Sequence, residues 1–129
     1  MGTFAVTGSA SGMGAATRDV LTGAGHTVIG VDLREADVIA DLGTPAGRAS
    51  AVAEVLARSG GALDGVAAVA GVGVGPNTAD SAAVMSIDYF GPVALLDGLR
   101  PALARSGVFV DGGTDAAMRP DAQPTAMTL

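Results

Sequence analysis

Short apolar runs alternate with segments of helical character along this chain of 129 residues. The run HTVIGVDL is nearly continuously apolar, as is typical of a strand buried on both faces of a parallel sheet. The predicted strands lie at residues 3–6, 26–33, 37–42, 65–71 and 108–113. The predicted helices lie at residues 13–24, 45–58 and 81–105. Because strands that alternate with helices form right-handed βαβ units, we predict an α/β fold with a doubly wound parallel sheet.

The predicted helices carry capping signals and one apolar face each. Thr44 followed by Pro45 is typical of an N-cap and a first helical residue, and Pro92 and Pro101 interrupt or kink the third helix. The residues expected to face inward are Met13, Ala16, Val20, Leu21 and Ala24 in the first helix, and Ala49, Val52, Ala53, Leu56 and Ala57 in the second. The tail from residue 114 has no clear period, so we expect little order there.

Composition restricts the class of protein. The length suits one domain, and the net charge of −6 argues against a nucleic-acid partner, since phosphate binding needs a basic surface. No apolar run reaches the roughly 18 residues of a membrane span, so no membrane partner is expected. The sequence contains no cysteine, which excludes disulfides and thiolate metal sites and fits a cytoplasmic location.

The junction between the first predicted strand and helix is rich in glycine and serine. A helix that follows a strand directly presents free N–H groups and its positive dipole end, where a diphosphate can bind if no bulky side chain intervenes. The residues at this junction are Gly8, Ser9, Ser11, Gly12 and Gly14. The serines add hydroxyl donors, and Thr7 is expected to tie the loop to a neighbouring strand. The alternative is a plain strand-to-helix turn.

Asp32 follows Gly14 by 18 residues, at the end of the second predicted strand. An acidic residue about 20 residues after the glycines accepts hydrogen bonds from the adenosine ribose in dinucleotide folds. A carboxylate there also repels the 2′-phosphate of NADP, so Asp32 favours NAD. Arg34 weakens this preference, because it could pair with such a phosphate. In the alternative interpretation Asp32 only caps a helix or loop.

The spacing Thr7-Gly8-x-x-x-Gly12-x-Gly14 resembles the fingerprint of the short-chain dehydrogenase/reductase family. GHTVIGVDLREADVIADL and VDGGTDAAMRP are similar to its bacterial hydroxysteroid dehydrogenase/carbonyl reductase branch, which uses NAD(H). The resemblance implies a Rossmann-like sheet, with Asp41-Leu42 beside the adenine ring and Ala70-Gly71 after a strand. The implied cofactor site comprises Gly8, Ser9, Ser11, Gly12, Met13, Gly14, Asp32, Leu33, Asp41, Leu42, Ala70 and Gly71.

The same resemblance shows what this sequence lacks. Family members have roughly 250 residues, and the segment with the catalytic serine and the Tyr-x-x-x-Lys pair has no counterpart here. No lysine occurs in the sequence, and Tyr89 is followed four residues later by Val93. Asp88 and Val69 replace two family asparagines. We therefore predict a truncated fold with no catalytic residues, in which a Rossmann half at 1–107 is joined directly to a C-terminal strand and tail at 108–129.

Two functions remain open at this point. The resemblance implies hydride transfer between nicotinamide and an alcohol or ketone, such as a hydroxysteroid, and the alternative is a non-catalytic nucleotide-binding or subunit-association fragment. Self-association through the helix at 81–105 is expected, because residues 89–96 resemble the family's interface helix. Asp111 and Asp115 are too few ligands for a metal site, and His26 is expected in a loop. Residues 108–110 are predicted either to pair beside residues 66–70 or to be disordered.

Overall fold

The computed structural model describes residues 1–70, 89–111 and 125–128. Six strands and three α-helices lie in these ranges. The strands are β1 (Thr3–Thr7), β2 (Thr27–Asp32), β3 (Val38–Ile39), β4 (Leu63–Ala68), β5 (Leu103–Asp111) and β6 (Thr125–Thr128). The helices are α1 (Gly12–Gly23), α2 (Pro45–Ser59) and α3 (Gly91–Leu99), and a 3-10 turn covers Arg100–Ala102.

The strands form one sheet in the order β3-β2-β1-β4-β5-β6. The first five are parallel to their neighbours, and β6 is antiparallel to β5. The connection from β1 to β2 through α1 runs in one direction across the sheet, and the connection from β3 to β4 through α2 runs in the other. Because such connections are right-handed, α1 and α2 lie on opposite faces of the sheet. Since α3 packs against α2, it lies on the same face as α2. The α/β doubly wound parallel sheet is thereby confirmed.

Residues 108–110 were predicted either to pair beside β4 or to be disordered, and the structure confirms the pairing. Gly65 lies opposite Val108, and Val66 lies opposite Phe109. Because β5 already begins at Leu103, the predicted helix end at residue 105 is wrong. The helix α3 ends at Leu99, and Pro101 lies in the 3-10 turn that follows. Proline has no N–H for a helical hydrogen bond, so the chain leaves the helix here.

Other boundaries also differ from the sequence-based expectation. The strand predicted at 65–71 is Leu63–Ala68, and the predicted helix start at residue 81 lies outside the described residues. The strand predicted at 37–42 is only Val38–Ile39. The tail was expected to have little order, which is wrong for Thr125–Thr128 because they pair with β5. The composition of the tail does not indicate this pairing, because the partner strand β5 lies in a different part of the sequence.

The inward faces of the first two helices were predicted correctly only in part. In α1 only Gly14 is fully buried, whereas Met13 is 57% exposed and Val20 is 72% exposed. In α2 the buried residues are Ala51 and Val55. Val52 and Leu56 pack partly against the core, but Ala49, Ala53 and Ala57 are exposed. The helix α1 contacts the sheet through Gly14, and the periodic pattern of apolar side chains does not reveal such a contact.

The hydrophobic core joins the sheet to α2 and α3. Its largest fully buried apolar side chains are those of Leu63, Leu95, Leu99, Val6, Val31, Val38 and Val55. Thr44 caps α2 as predicted, because its hydroxyl accepts a hydrogen bond from Gly47 N at 3.0 Å. In the part of the chain that the structure describes, no helix has the length and apolar character needed to cross a membrane.

Candidate functional site

The loop between β1 and α1 lies at the carboxyl edge of the sheet and depends on its glycines. Gly8 has φ +70° and Gly12 has φ +58°, and at such positive φ values a residue with a side chain would be strained. A Cβ on Gly8 would lie 3.0 Å from Ala70 Cα, and a Cβ on Gly14 would overlap the carbonyl oxygen of Gly8. Around Gly12 there is open space instead. Gly8 and Gly14 therefore fix the packing of the loop, and Gly12 fixes its conformation.

Thr7 ties this loop to the neighbouring strand, as predicted. Its hydroxyl oxygen accepts a hydrogen bond from Ala70 N at 3.0 Å, and the residue is only 2% exposed. Ala70 is half-buried just beyond β4. Gly71, which the sequence pairs with Ala70, lies outside the described residues.

The carboxylate of Asp32 lies against the glycine loop. Its Oδ2 accepts a hydrogen bond from Ala10 N at 2.9 Å, and its Oδ1 accepts one from Leu33 N at 2.6 Å. These bonds fix the carboxylate between the end of β2 and the start of α1. Because an ionised carboxylate offers about four acceptor positions, it can still accept hydrogen bonds from a bound hydroxyl group. The structure thus brings together the loop and the acid that the sequence singled out.

The two serines of the loop lie in different environments. Ser11 is exposed and occupies the N-cap position of α1 without a side-chain hydrogen bond. Ser9 is fully buried, and its Oγ has no hydrogen-bond partner. A Cβ on Gly30 would lie 2.5 Å from that Oγ, so the hydroxyl lies beneath the loop, against β2. An N-terminus without a side-chain cap offers backbone donors to an anion, and this arrangement fits a diphosphate.

Three apolar side chains near Asp32 or at the start of α1 are exposed to solvent. Met13 is 57% exposed at the start of α1, and Leu33 is 65% exposed next to Asp32. Ile39 is 55% exposed and lies opposite Asp32 in the β2–β3 pair. A planar ring could pack against such side chains. Sequence reasoning missed Ile39, because its proximity to Asp32 depends on strand register and not on a motif.

Asp41 and Leu42 follow β3 in the turn that leads into α2. The Asp41 Oδ1 accepts a hydrogen bond from Gly43 N at 2.8 Å, so the carboxylate stabilises the turn. Leu42 is 7% exposed and belongs to the hydrophobic core. Its carbonyl oxygen accepts a hydrogen bond from Arg48 Nε at 2.9 Å. Both residues thus have structural contacts of their own.

Sequence reasoning also missed the role of Asp37, which was taken as part of a strand. Its Oδ2 accepts a hydrogen bond from Gly30 N at 2.8 Å. Aspartate commonly accepts backbone hydrogen bonds in turns, but this partner lies on the preceding strand. The bond connects β2 to the end of the turn before β3.

Comparison with known proteins adds independent information. A 3-alpha-hydroxysteroid dehydrogenase/carbonyl reductase from Comamonas testosteroni is 41% identical over 133 residues, which cover 100% of this chain and 51% of that protein. A solved 3-alpha-hydroxysteroid dehydrogenase from Pseudomonas sp. B-0831, complexed with NADH, superposes with a TM-score of 0.75 at 57% identity. The superposition covers 78% of this chain and 39% of that one. A short-chain dehydrogenase from Streptomyces avermitilis also superposes, with a TM-score of 0.68 at 28% identity over 78% of this chain and 45% of that one. The predicted resemblance to the short-chain dehydrogenase/reductase family is confirmed.

A second curated relative is more distant. A coniferyl-alcohol dehydrogenase from a Pseudomonas species is 36% identical over 112 residues, covering 82% of this chain and 41% of that protein. No protein-family model matches the chain. The chain spans about half the length of the curated relatives it matches.

Proposed function

We propose that this chain binds NAD(H) at the carboxyl edge of its sheet. The observation that carries the proposal is the Asp32 carboxylate, fixed by Ala10 N beside a helix whose N-terminus has no side-chain cap. In this proposal the diphosphate lies against the start of α1, and Asp32 accepts hydrogen bonds from the adenosine ribose. The proposed site residues are Gly8, Ser9, Ser11, Gly12, Met13, Gly14, Asp32, Leu33, Asp41, Leu42, Ala70 and Gly71.

The structure refines how some of these residues would act. Ser9 is buried, so it would support the loop from below and not contact the cofactor through its hydroxyl. Met13 and Leu33 would supply exposed apolar contacts, the latter at the adenosine end. The preference for NAD over NADP is part of the proposal, since a second negative charge at the ribose would face the Asp32 carboxylate. Arg34 is exposed nearby and opposes this preference in part.

For catalysis we propose that this chain alone does not transfer hydride. Its relatives are named as hydroxysteroid, carbonyl and coniferyl-alcohol oxidoreductases, which makes an alcohol or ketone the proposed substrate class of the lineage. The cofactor would supply the hydride. The sequence contains no lysine, and its only tyrosine, Tyr89, is followed four residues later by Val93. The proposal divides the chain into a binding part at 1–107 and a C-terminal strand and tail at 108–129.

A second candidate function is subunit association, with or without NAD(H). Tyr89, Phe90 and Val93 are 56%, 48% and 40% exposed at the start of α3. The rings of Tyr89 and Phe90 contact each other edge to face, with centroids 5.1 Å apart. Such exposed apolar side chains favour contact with another protein surface. We propose a homo-oligomer through this helix, in the cytoplasm.

Titration with NADH tests the binding proposal. The variant Asp32→Ala removes the acceptor for the ribose, and we expect its affinity for NADH to fall by roughly ten-fold, as for a charged hydrogen bond. Asp64→Ala is the control, because Asp64 is also an aspartate that accepts a backbone hydrogen bond, from Thr3 N at 2.8 Å, although it is exposed and Asp32 is half-buried. Asp64 lies at the opposite edge of the sheet. Equal affinity in all three proteins would contradict the proposed site.

Turnover and mass measurements separate the two functions. With NADH and a simple ketone, the chain is expected to bind the cofactor without oxidising it. Cofactor oxidation at rates typical of enzymes, about 1 per second or faster, would contradict the non-catalytic proposal. Absence of NADH binding together with a stable oligomer by light scattering would favour the association function.

A further inference from the structure

The turn between β2 and β3 is held at both ends by carboxylates. At its start, Asp32 Oδ1 accepts a hydrogen bond from Leu33 N at 2.6 Å. At its end, Asp37 Oδ2 accepts one from Gly30 N at 2.8 Å. The strand β3 contains only two residues and pairs with β2 from Val31 onward, so it offers no backbone acceptor opposite Gly30. Asp37 supplies that acceptor.

The backbone inside this turn is strained. Glu35 has φ +52°, and it is the only non-glycine residue with positive φ among residues 1–70, 89–111 and 125–128. Glutamate disfavours this conformation because its Cβ approaches the following carbonyl group. Such a residue keeps the conformation only where its surroundings determine it. The carboxylate hydrogen bonds at the two ends of the turn restrain it, together with the β2–β3 pairing and the hydrogen bond from Ala40 N to Asp32 O at 3.0 Å.

Gly30 connects this turn to the glycine loop. Its N–H is bonded to Asp37, and a Cβ at this position would lie 2.5 Å from Ser9 Oγ. The same Cβ would lie 3.5 Å from Asp37 Oδ2. Ser9 belongs to the loop that carries Ala10, the donor to Asp32. One continuous set of contacts therefore runs from Asp37 through β2 to the glycine loop.

We propose that Asp37 is a positioning residue, which holds the turn 33–36 in its strained conformation and thereby strengthens the preference for NADH over NADPH. This inference rests on the proposed binding of NAD(H). The held turn fixes Leu33 beside Asp32 and keeps the Arg34 backbone in one place. When the turn is released, Leu33 loses its fixed position, and Arg34 becomes able to approach a 2′-phosphate. Affinity for NADH falls and affinity for NADPH is retained.

The test compares Asp37→Ala and Asp37→Asn with the unaltered protein. In the Ala variant we expect NADH affinity to fall roughly five-fold, which corresponds to the loss of one hydrogen bond, while NADPH affinity changes less than about two-fold. The Asn variant keeps an amide oxygen that can accept the Gly30 N–H, so its ratio of NADH to NADPH affinity stays within about two-fold of the original. Asp64→Ala, which alters an aspartate at the opposite edge, leaves both affinities unchanged.

The Asn variant also separates the hydrogen bond from the charge. Both variants remove one negative charge, so a purely electrostatic effect would alter their nucleotide affinities equally. The proposal would be overturned if the Ala and Asn variants had the same ratio of NADH to NADPH affinity and that ratio differed from the ratio of the unaltered protein. An equal loss of affinity for both nucleotides in the Ala variant, or no loss for either, would also overturn it.

Amide hydrogen exchange of the unaltered protein checks the contact without any substitution. The Gly30 amide is expected to exchange slowly, and a rapidly exchanging Gly30 amide would overturn the proposal even if the Ala variant failed to fold. The outcomes also distinguish the two levels of inference. If the unaltered protein does not bind NADH, the proposed function fails, and the role of Asp37 in selectivity fails with it. If it binds NADH and the Asp37 variants behave like Asp64→Ala, only the role of Asp37 fails.

Discussion

The strand pairs β1–β2 and β4–β5 are both parallel, but they differ in register. Between β1 and β2 the pairing is unbroken from Thr3 and Thr27 to Thr7 and Val31. Between β4 and β5 it is broken, because Leu63 pairs with Leu103 and the next pair, Gly65 with Val108, leaves Asp64 opposite residues 104–107. The break lies beside the boundary at 107/108 that the sequence analysis placed between two family segments. If the chain is divided at 107/108 as proposed, the junction of its two parts would account for this irregular register.

The largest effect on stability is expected beside the β1–β2 pair, whose register is unbroken. Gly14→Val places a branched side chain where even a Cβ overlaps the Gly8 carbonyl oxygen. We expect it to reduce the free energy of unfolding by about 3 kcal/mol or more and to abolish NADH binding, because α1 cannot approach β1. Denaturant titration and NADH fluorescence measure the two effects.

Gly12→Ala is the control for this prediction. A Cβ on Gly12 would lie in open space, but the residue has a positive φ, so alanine should cost only about 1 kcal/mol. If the Gly12 and Gly14 variants had equal stability, tight packing at Gly14 would not be the distinguishing feature of this loop.

A smaller effect is expected where the two strand pairs meet. Thr7→Val keeps the shape of the side chain but removes the acceptor for Ala70 N. Leaving that donor unsatisfied should reduce the free energy of unfolding by about 1–3 kcal/mol. Thr27→Val is the control, since Thr27 is exposed at the start of β2 and should change stability by less than about 0.5 kcal/mol. Equal stability of the two variants would contradict the role assigned to the Thr7 hydroxyl.

The smallest effect is expected at the broken register. Deletion of residues 105–107 leaves one residue opposite Asp64, so Leu103 and Val108 would pair with Leu63 and Gly65 without a break. We expect the free energy of unfolding to change by less than about 1 kcal/mol, because no paired residue is removed. The same three-residue deletion within β2, at residues 28–30, should prevent folding. A loss of more than about 3 kcal/mol in the first deletion would show that β5 depends on this segment.

How much of the fold and site could be predicted depends on how local each signal is. The glycine loop, the Thr7 contact and the Thr44 cap involve residue types with strong conformational preferences, and the structure confirms their placement. The proximity of Asp32 to the loop follows from parallel strand order. The binding roles of these residues stay predictions.

The errors concern features set by distant residues. The inward face of α1 depends on how closely Gly14 approaches Gly8, and an apolar pattern does not record that distance. The β5 start at Leu103 depends on pairing with Leu63 across about forty residues of chain. The contacts of Ile39 and Asp37 depend on the register of a strand too short to show a period.

The register break also has a mechanical consequence. Three more residues of β5 than of β4 lie between the first two pairs, which corresponds to about 10 Å of extended backbone. When tension is applied along the C-terminal part of the chain, this extra length can straighten before force reaches the β4 ladder. We therefore expect such tension to reach β1, β2 and the loop that follows β1 only after this segment has straightened.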